Sequence, residues 1–284
     1  MNNTVGKLSE VLSRFSVSAG VFYSGGLCGL IKFEEPGFRE GHLHLLKQGQ
    51  ISVIDTHGNT RVLTAPSLLF FPRPTRHRLM AAEANRAEIV CATVRYGAGA
   101  NNPLANALPA MLVLPLADAT RLKASVEWLF EEAFSERSGR QAMMDRLTEV
   151  LLIQLLRHVV DTGLVAQGML AGLAHPQLSR AMVAMHAQPF KGWSLEELAS
   201  LAAMSRSKFA ETFRATVGQP PGDYLIEWRV GVAQTLLKKG KPVSFVANEV
   251  GYENASALAR VFRKKVGLSP REWLQAEKNA SAGS

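Results

Sequence analysis

Cysteine is nearly absent from this chain: Cys28 and Cys91 are the only two among 284 residues. A disulfide framework is thereby excluded, and thiols this sparse are normally kept reduced. An apolar leader is also lacking, because the opening Met-Asn-Asn-Thr-Val-Gly-Lys is polar, and no uncharged apolar run reaches the roughly 18 residues that span a bilayer. No membrane partner is expected, and the chain is read as cytoplasmic. Acidic charge is in deficit. The net charge is +8 with a pI near 9.7. From His175 onward there are 15 Lys/Arg against 9 Asp/Glu, which leaves 2 of the net charge for everything before. Concentrated basic charge on a helical region points to a polyanion partner. With 47% hydrophobic and 20% charged residues, the chain has apolar material for two modest cores, so two domains are expected.

Two stretches near the C-terminus repeat each other. Ala199 pairs with Ala247 at an offset of 48, and Phe209, Phe213, Val217, Gly218, Pro221 and Tyr224 pair with Leu258, Phe262, Val266, Gly267, Pro270 and Trp273 at 49. The second copy therefore carries one extra turn residue. Each copy reads as a short apolar helix, a tight turn and a second helix whose inner face recurs every four residues, which is a helix-turn-helix present twice. Ser194 with Glu197 forms a capping box that starts the first helix at about Leu195. Ser205 and Asn254 stand at matching positions to cap the two second helices. With Phe209 and Phe213 inward, Arg206, Ser207, Ala210, Glu211 and Arg214 face out. With Leu258 and Phe262 inward, Ala255, Ser256, Ala259, Arg260 and Arg263 do the same. Such faces fit the major groove: Arg260 suits a guanine O6/N7 edge and Glu211 a cytosine N4. Lys208, Arg214, Arg263, Lys264 and Lys265 suit phosphates, which fix register without reading sequence. Between the units, Asp223 to Lys239 reads as one spacer helix with Leu225, Trp228, Val232, Ala233 and Leu236 inward. Two units held rigidly can enter successive major grooves about 34 Å apart.

The first hundred residues read as short strands, Gly41–Leu46, Gln50–Ile54, Ser67–Phe71 and Ala87–Arg95, separated by Gly, Pro and Asn, which suggests a sandwich or small barrel. Two amphipathic helices follow. Asp118–Phe134 carries Leu122, Val126, Leu129, Phe130 and Ala133 on one stripe, and Gln141–Val160 carries Leu147, Val150, Leu151, Leu155 and Val159. These stripes serve either to pack on the barrel or to form a homodimer. Gly163–His175 reads as the linker into the basic half.

The C-terminal hundred residues resemble the DNA-binding domain of the AraC/XylS family of transcription regulators. The resemblance rests on Pro242-Val-Ser-Phe-Val-Ala-Asn-Glu-Val-Gly-Tyr252 and on Phe262-Arg-Lys-Lys-Val-Gly-Leu-Ser-Pro-Arg-Glu-Trp273. It implies base reading by Ser207, Ala210 and Glu211 and by Ala255, Ser256 and Arg260, on double-stranded DNA. RNA polymerase is implied as a further partner, the pattern of an activator. Ala210 and Ala255 depart from the larger polar residues often found there, which implies sparse direct readout, with Ala left to touch thymine methyls.

In the N-terminal half, Gly41-His-Leu-His44 and Pro72-Arg-Pro-Thr-Arg-His77 resemble the two cupin motifs, and many AraC-like regulators carry a cupin-like sensor for a small effector. His42 and His44, two apart on a strand, project to one face, and His77 can converge with them. Lys47, Gln48 and Gly49 stand where the enzymatic cupin pattern has its carboxylate, so oxygenase chemistry is not expected. Three readings of the sensor stand side by side. His44 and His77, with His42 and with Cys91 or both cysteines, hold zinc or another divalent metal; Cys28 and Cys91 sense oxidants, as in some regulators of this branch; or these are ordinary buried thiols and histidines. The expectation is thus an α+β protein of two domains. A cupin-like β-barrel sensor spans 1–107, a helical connector and candidate dimerisation segment spans 108–170, and an all-α double helix-turn-helix spans 176–277. It is a sequence-specific, effector-controlled regulator and not an enzyme, the alternatives being a cupin metalloenzyme fused to a DNA-binding domain or a cysteine-based redox regulator.

Overall fold

The computed structural model describes residues 6–33, 40–97 and 102–282. In chain order its helices are α1 (Ser9–Arg14), α2 (Pro103–Asn106), α3 (Thr120–Ala133), α4 (Arg140–Thr162), α5 (Met169–Ala174), α6 (Leu178–Ala187), α7 (Leu195–Leu201), α8 (Arg206–Val217), α9 (Pro221–Lys238), α10 (Val243–Glu249), α11 (Ala255–Val266) and α12 (Pro270–Ala282). Its strands are β1 (Val17–Leu27), β2 (Gly29–Phe33), β3 (Gly41–Gln48), β4 (Gln50–Ile54), β5 (Thr60–Thr64), β6 (Ser67–Phe71), β7 (His77–Ala81), β8 (Ala87–Tyr96) and β9 (Leu112–Pro115). Two compact units result. One gathers Met1–Ser16, Asn101–Ala107 and Gly163–Ser284, and the other Val17–Ala100 and Leu108–Thr162.

The β unit has two antiparallel sheets, ordered β1-β8-β3-β6-β9 and β2-β7-β4-β5. Leu46, Leu69 and Ile89 from the first meet Ile51, Leu63 and Leu79 from the second in one apolar core. Central strand β3 is buried along most of its length, Gly41 to Leu46, as a strand covered on both faces must be. At the β3–β4 turn, Gly49 has φ +82°, and a Cβ there would lie 2.2 Å from the Asn85 carbonyl oxygen, so no larger residue fits. Helices α3 and α4 pack together, and α4 lies on β1: the Val21 N–H donates to Asp145 Oδ1 at 2.8 Å, and Gln141 Nε2 donates to the Val21 carbonyl at 2.7 Å. The α3 stripe is buried as expected. On α4, Val150 is 45% exposed, because the buried face drifts through Thr148, Leu152 and Leu156.

The helical unit contains both helix-turn-helix copies, α7–α8 and α10–α11. Ser194 Oγ accepts from the Glu197 N–H at 3.1 Å, and Glu197 Oε2 accepts from the Ser194 N–H at 2.9 Å, which completes the capping box. Ser205 and Asn254 cap α8 and α11 by accepting from the N–H groups of Lys208 and Ala257, each worth about 1 kcal/mol. Both reading helices end on a left-handed glycine, Gly218 at φ 91° and Gly267 at φ 84°. Inside the turns, Ala203 (φ 51°) and Gly251 (φ 80°) fill the same position of the duplication. A Cβ on Gly251 would come within 2.5 Å of the Phe190 carbonyl oxygen, so only the first copy tolerates alanine.

Several boundaries differ from the sequence reading. The segment read as a linker, Gly163–His175, contains α5, whose Met169 to Leu173 are buried against α6 and α8. The spacer helix begins at Pro221, and its inward leucine is Leu237, 1% exposed, with Leu236 half-buried. The divisions 1–107, 108–170 and 176–277 do not coincide with the packing. The α1 region and α2 belong to the helical unit, where the Phe15 ring meets Trp228 at 5.0 Å and Pro103 lies against Gly231. Helices α3 and α4 belong with the sheets. No helix among the described residues is long and apolar enough to cross a membrane.

The shifted α4 face gives a direct check. Leu151→Ala is expected to lower unfolding free energy by about 2–5 kcal/mol and Val150→Ala by less than about 0.5 kcal/mol, read from denaturant midpoints of the full chain.

Candidate DNA-reading faces and a histidine cluster

On α8, Arg206, Ser207, Lys208, Glu211 and Arg214 are exposed and Ala210 is half-buried. On α11, Ser256, Arg260, Arg263 and Lys264 are exposed, with Ala255 and Ala259 half-buried. Opposite them, Phe209, Phe213 and Val217, and Leu258 and Phe262, are buried. Buried apolar positions four apart thus leave one polar strip on each helix. The strips differ in charge. Lys208 Nζ lies 3.8 Å from Glu211 Oε2, so α8 carries an internally balanced pair. On α11, Arg263 pairs with Glu272 at 3.7 Å, and Lys265 donates to Glu227 at 3.1 Å. That bond holds Lys265 on α9, away from the phosphate role its charge suggests. Arg206, Arg214, Arg260 and Lys264 make no ion pair among the described residues.

In the β unit, His42 and His44 on β3 and His77 on β7 bring ligand nitrogens within 4.8 Å of one another, all three side chains buried. One sheet supplies two imidazoles and the facing sheet the third. The hydrogen bonds run in one direction. His77 Nδ1 lies 2.7 Å from the Thr75 carbonyl, which can only accept, so Nδ1 carries the proton and Nε2 is bare. His44 Nε2, 3.0 Å away, therefore donates to His77 Nε2, and His44 Nδ1 accepts from the Cys91 thiol at 3.1 Å. The His77 ring is held between Phe71 at 3.9 Å and Phe33 at 4.6 Å, both nearly parallel to it. Burial, then the charge of His77, pushes the His42 pKa down to about 3; burial brings His77 to about 4 and, with its two neighbours, holds His44 well below 6.5. All three are neutral at neutral pH.

Cys91 stands behind His44, on the nitrogen opposite His77, and burial pushes its thiol pKa up, so it is a poor nucleophile. Cys28 is exposed just past the end of β1. Cys91 pairs with Tyr23 while Leu27 pairs with Ala87, four rungs away. That is roughly 13 Å, beyond the ~7 Å Cα separation of a disulfide. The structure brings His42, His44 and His77 together, sets Cys91 beside them, and leaves Cys28 apart, so the four-ligand set with both cysteines is not assembled. Lys47 bonds Glu88 at 2.9 Å, and among the described residues no carboxylate joins the cluster. Sequence reasoning missed Phe33 and Phe71, the two rings that hold His77. Phe71 lies in a strand the sequence marks, but β2, which carries Phe33, has no strand signal of its own and is fixed by its pairing with β7.

Two bihelical readers and, in a separate unit, a buried histidine cluster define a DNA-binding regulator with a cupin-type domain. Comparison with known proteins agrees. A cupin family model matches residues 7–161, and a helix-turn-helix domain model matches 198–276. A helix-turn-helix-type transcriptional regulator of Haemophilus influenzae is 29% identical over 266 residues, covering 86% of this chain and 89% of its own. RclR of Escherichia coli K12, named an RCS-specific transcriptional activator, is 26% identical over 234 residues, covering 81% and 82%. Among solved structures, the DNA-binding domain of AdpA in complex with a target DNA is 32% identical, covering 37% of this chain and 94% of that one, with a TM-score of 0.34. The chain belongs to the AraC-type transcriptional regulators that carry an N-terminal cupin domain.

The cluster has a pH signature. The unfolded chain takes up protons at these histidines near 6.5, whereas folded His42 and His77 do so only near 3 and 4. Their contribution is therefore full above that unfolded value and falls as pH drops through the window, by about 1.4 kcal/mol per pH unit for each histidine. Denaturant midpoints between pH 7 and 5 should show this slope, and His77→Phe should flatten it. An unchanged slope would refute the buried neutral cluster.

Proposed function

We propose that both reading helices contact bases of one duplex, that the β unit holds a metal that sets its response, and that the protein regulates transcription without catalysing a reaction. The observation that carries the DNA reading is the pair of equivalent strips on α8 and α11, each backed by buried residues of the duplication. Ser207, Ala210 and Glu211, and Ala255, Ser256, Ala259 and Arg260, face base edges. Arg206, Lys208, Arg214, Arg263 and Lys264 face phosphates. Arg260 is the strongest reader, since it is exposed and has no acidic partner among the described residues, while Glu211 must first part from Lys208. Arg260→Ala should weaken a selected site by about 1–3 kcal/mol and relax one base position, whereas Lys264→Ala should weaken all sequences alike. Binding isotherms on selected and random duplexes across salt test this, and equal losses on both duplexes for Arg260→Ala would remove it from base reading.

Zinc or a similar divalent ion fits the histidine cluster. Zinc–nitrogen bonds of ~2.0–2.1 Å in a tetrahedron set the nitrogens about 3.3 Å apart. His44 and His77 already present Nε2 atoms at 3.0 Å. The Thr75 carbonyl orients His77, as outer partners of metal-binding histidines do. A bound ion would take the bare Nε2 of His77 and one nitrogen of His42, and would take Nε2 of His44 once its proton moves to Nδ1, where the N–H would donate to the Cys91 sulfur. Such an ion would supply a Lewis-acid centre able to polarise an effector's donor group. Elemental analysis of gently purified protein is expected to find one zinc per chain, lost in His77→Ala and retained in Cys91→Ala; loss in Cys91→Ala would instead make that sulfur a ligand.

A cytoplasmic location, contact with RNA polymerase and activation follow the family's pattern. The inward stripes of α3 and α4 are occupied within the β unit, so a homodimer through these helices uses their outer residues, Trp128 and Val150, which are 50% and 45% exposed.

A further inference from the structure

The helical unit holds a cavity that neither the DNA-reading strips nor the histidine cluster uses. It measures about 430 Å³, within the ~300–1,000 Å³ range of small-molecule sites. One wall is the face of α9 carrying Glu227, Val230, Gly231 and Gln234. The others come from α2, from Gly168 and Met169 at the start of α5, and from the last turns of both reading helices, Val217 of α8 and Lys265 with Val266 of α11.

Two polar groups on this wall are left over. Gln234 is 1% and Trp228 2% exposed, yet Gln234 Nε2 and Trp228 Nε1 have no hydrogen-bond partner among the described residues. Both atoms only donate, so what is missing is an acceptor. The formal charges on the wall cancel, because Lys265 Nζ donates to Glu227 Oε1 at 3.1 Å; Gln219 Nε2 donates to the other carboxylate oxygen at 2.8 Å. Helices α8 and α11 also end here and turn the negative ends of their dipoles toward the space, which disfavours an anion. Met169, Val217 and Val230 make part of the remaining lining apolar.

We propose that this cavity is a second effector site, within the DNA-binding unit, for a small uncharged amphipathic molecule bearing a carbonyl acceptor, of the amide, lactone or ketone class. The carbonyl oxygen takes the spare N–H groups of Gln234 and Trp228, and the hydrocarbon part lies on Met169, Val217 and Val230. An occupant touches the last turn of both reading helices at once, so it biases their spacing and with it DNA affinity, and DNA changes the occupant's affinity by the same factor. This coupling rests on α8 and α11 being the DNA readers; the binding itself does not.

Octanamide and δ-octalactone serve as probes on the full-length protein, with octanoate as the charged counterpart. The indole N–H resonance of Trp228, identified by its loss in Trp228→Phe, should shift in a saturable titration with either neutral probe. Octanoate should bind at least about tenfold more weakly. Gln234→Leu removes an unpaired buried amide without opening a hole, so it should fold and bind selected DNA as the parent does, but bind octanamide about tenfold more weakly. Octanamide should change the parent's DNA affinity and leave that of Gln234→Leu unmoved. Absence of a saturable Trp228 shift, or full octanamide affinity in Gln234→Leu, overturns the site, and octanoate binding as tightly as octanamide overturns the ligand class. Saturable binding with no change in DNA affinity overturns the effector role, while the Arg260→Ala measurement reports separately on whether α11 reads DNA.

Discussion

Burial of α9 on nearly all sides is the constraint on which the DNA-binding unit depends. Tyr224, Leu225, Trp228, Val230, Val232, Ala233 and Leu237 point in several directions around the helix axis, and all are buried. Helices α7 and α10 have seven residues each, well below the ~12–15 at which isolated helices become even marginal. Neither bihelical reader can therefore hold itself together by local hydrogen bonding. Each needs a wall, and α9 provides it, touching α8 of the first copy and α10 and α11 of the second, with α12. Trp228 anchors this arrangement, stacked on the His186 ring at 3.7 Å and met edge-on by Phe15. The His186 imidazole is in turn bonded to the Tyr224 hydroxyl at 2.6 Å, and burial keeps it neutral.

The β unit meets a different constraint, that of placing polar rings in an apolar core. Three imidazoles buried without partners would each carry a desolvation cost of a few kcal/mol. For His44 and His77 the cost is offset by a chain of donors and acceptors that runs from the Cys91 thiol through both rings to the Thr75 carbonyl. The register that pairs His44 with Cys91 across β3 and β8 puts the thiol in place. The same chain leaves the cluster without net charge, which suits it both to a dry core and to coordinating a cation.

The helical half was legible in the sequence because its determinants are local. Caps at Ser194, Ser205 and Asn254, glycines at 218 and 267, and phenylalanines four apart each fix a neighbourhood of a few residues, and duplication states them twice. Errors there were small shifts of face, Leu237 in place of Leu236, where a helix buried on many sides gives periodicity little contrast. The β half was less legible because its site is assembled across strands. His42 and His44 share a face by simple alternation, but the arrival of His77 from the other sheet depends on β7 pairing with both β2 and β4. Nothing local in the sequence announces that Phe33 will lie flat on His77. The place of Cys91 behind His44 depends likewise on register, as does the separation of Cys28 from it.

The two rings that sandwich His77 carry a last consequence. A side chain wedged between parallel phenyl groups and tied at Nδ1 has already lost its rotational freedom in the folded protein. The bare Nε2 of His77 is therefore presented by a ring with little side-chain entropy left to lose, so any contact made there costs less in ordering than one made by a free imidazole.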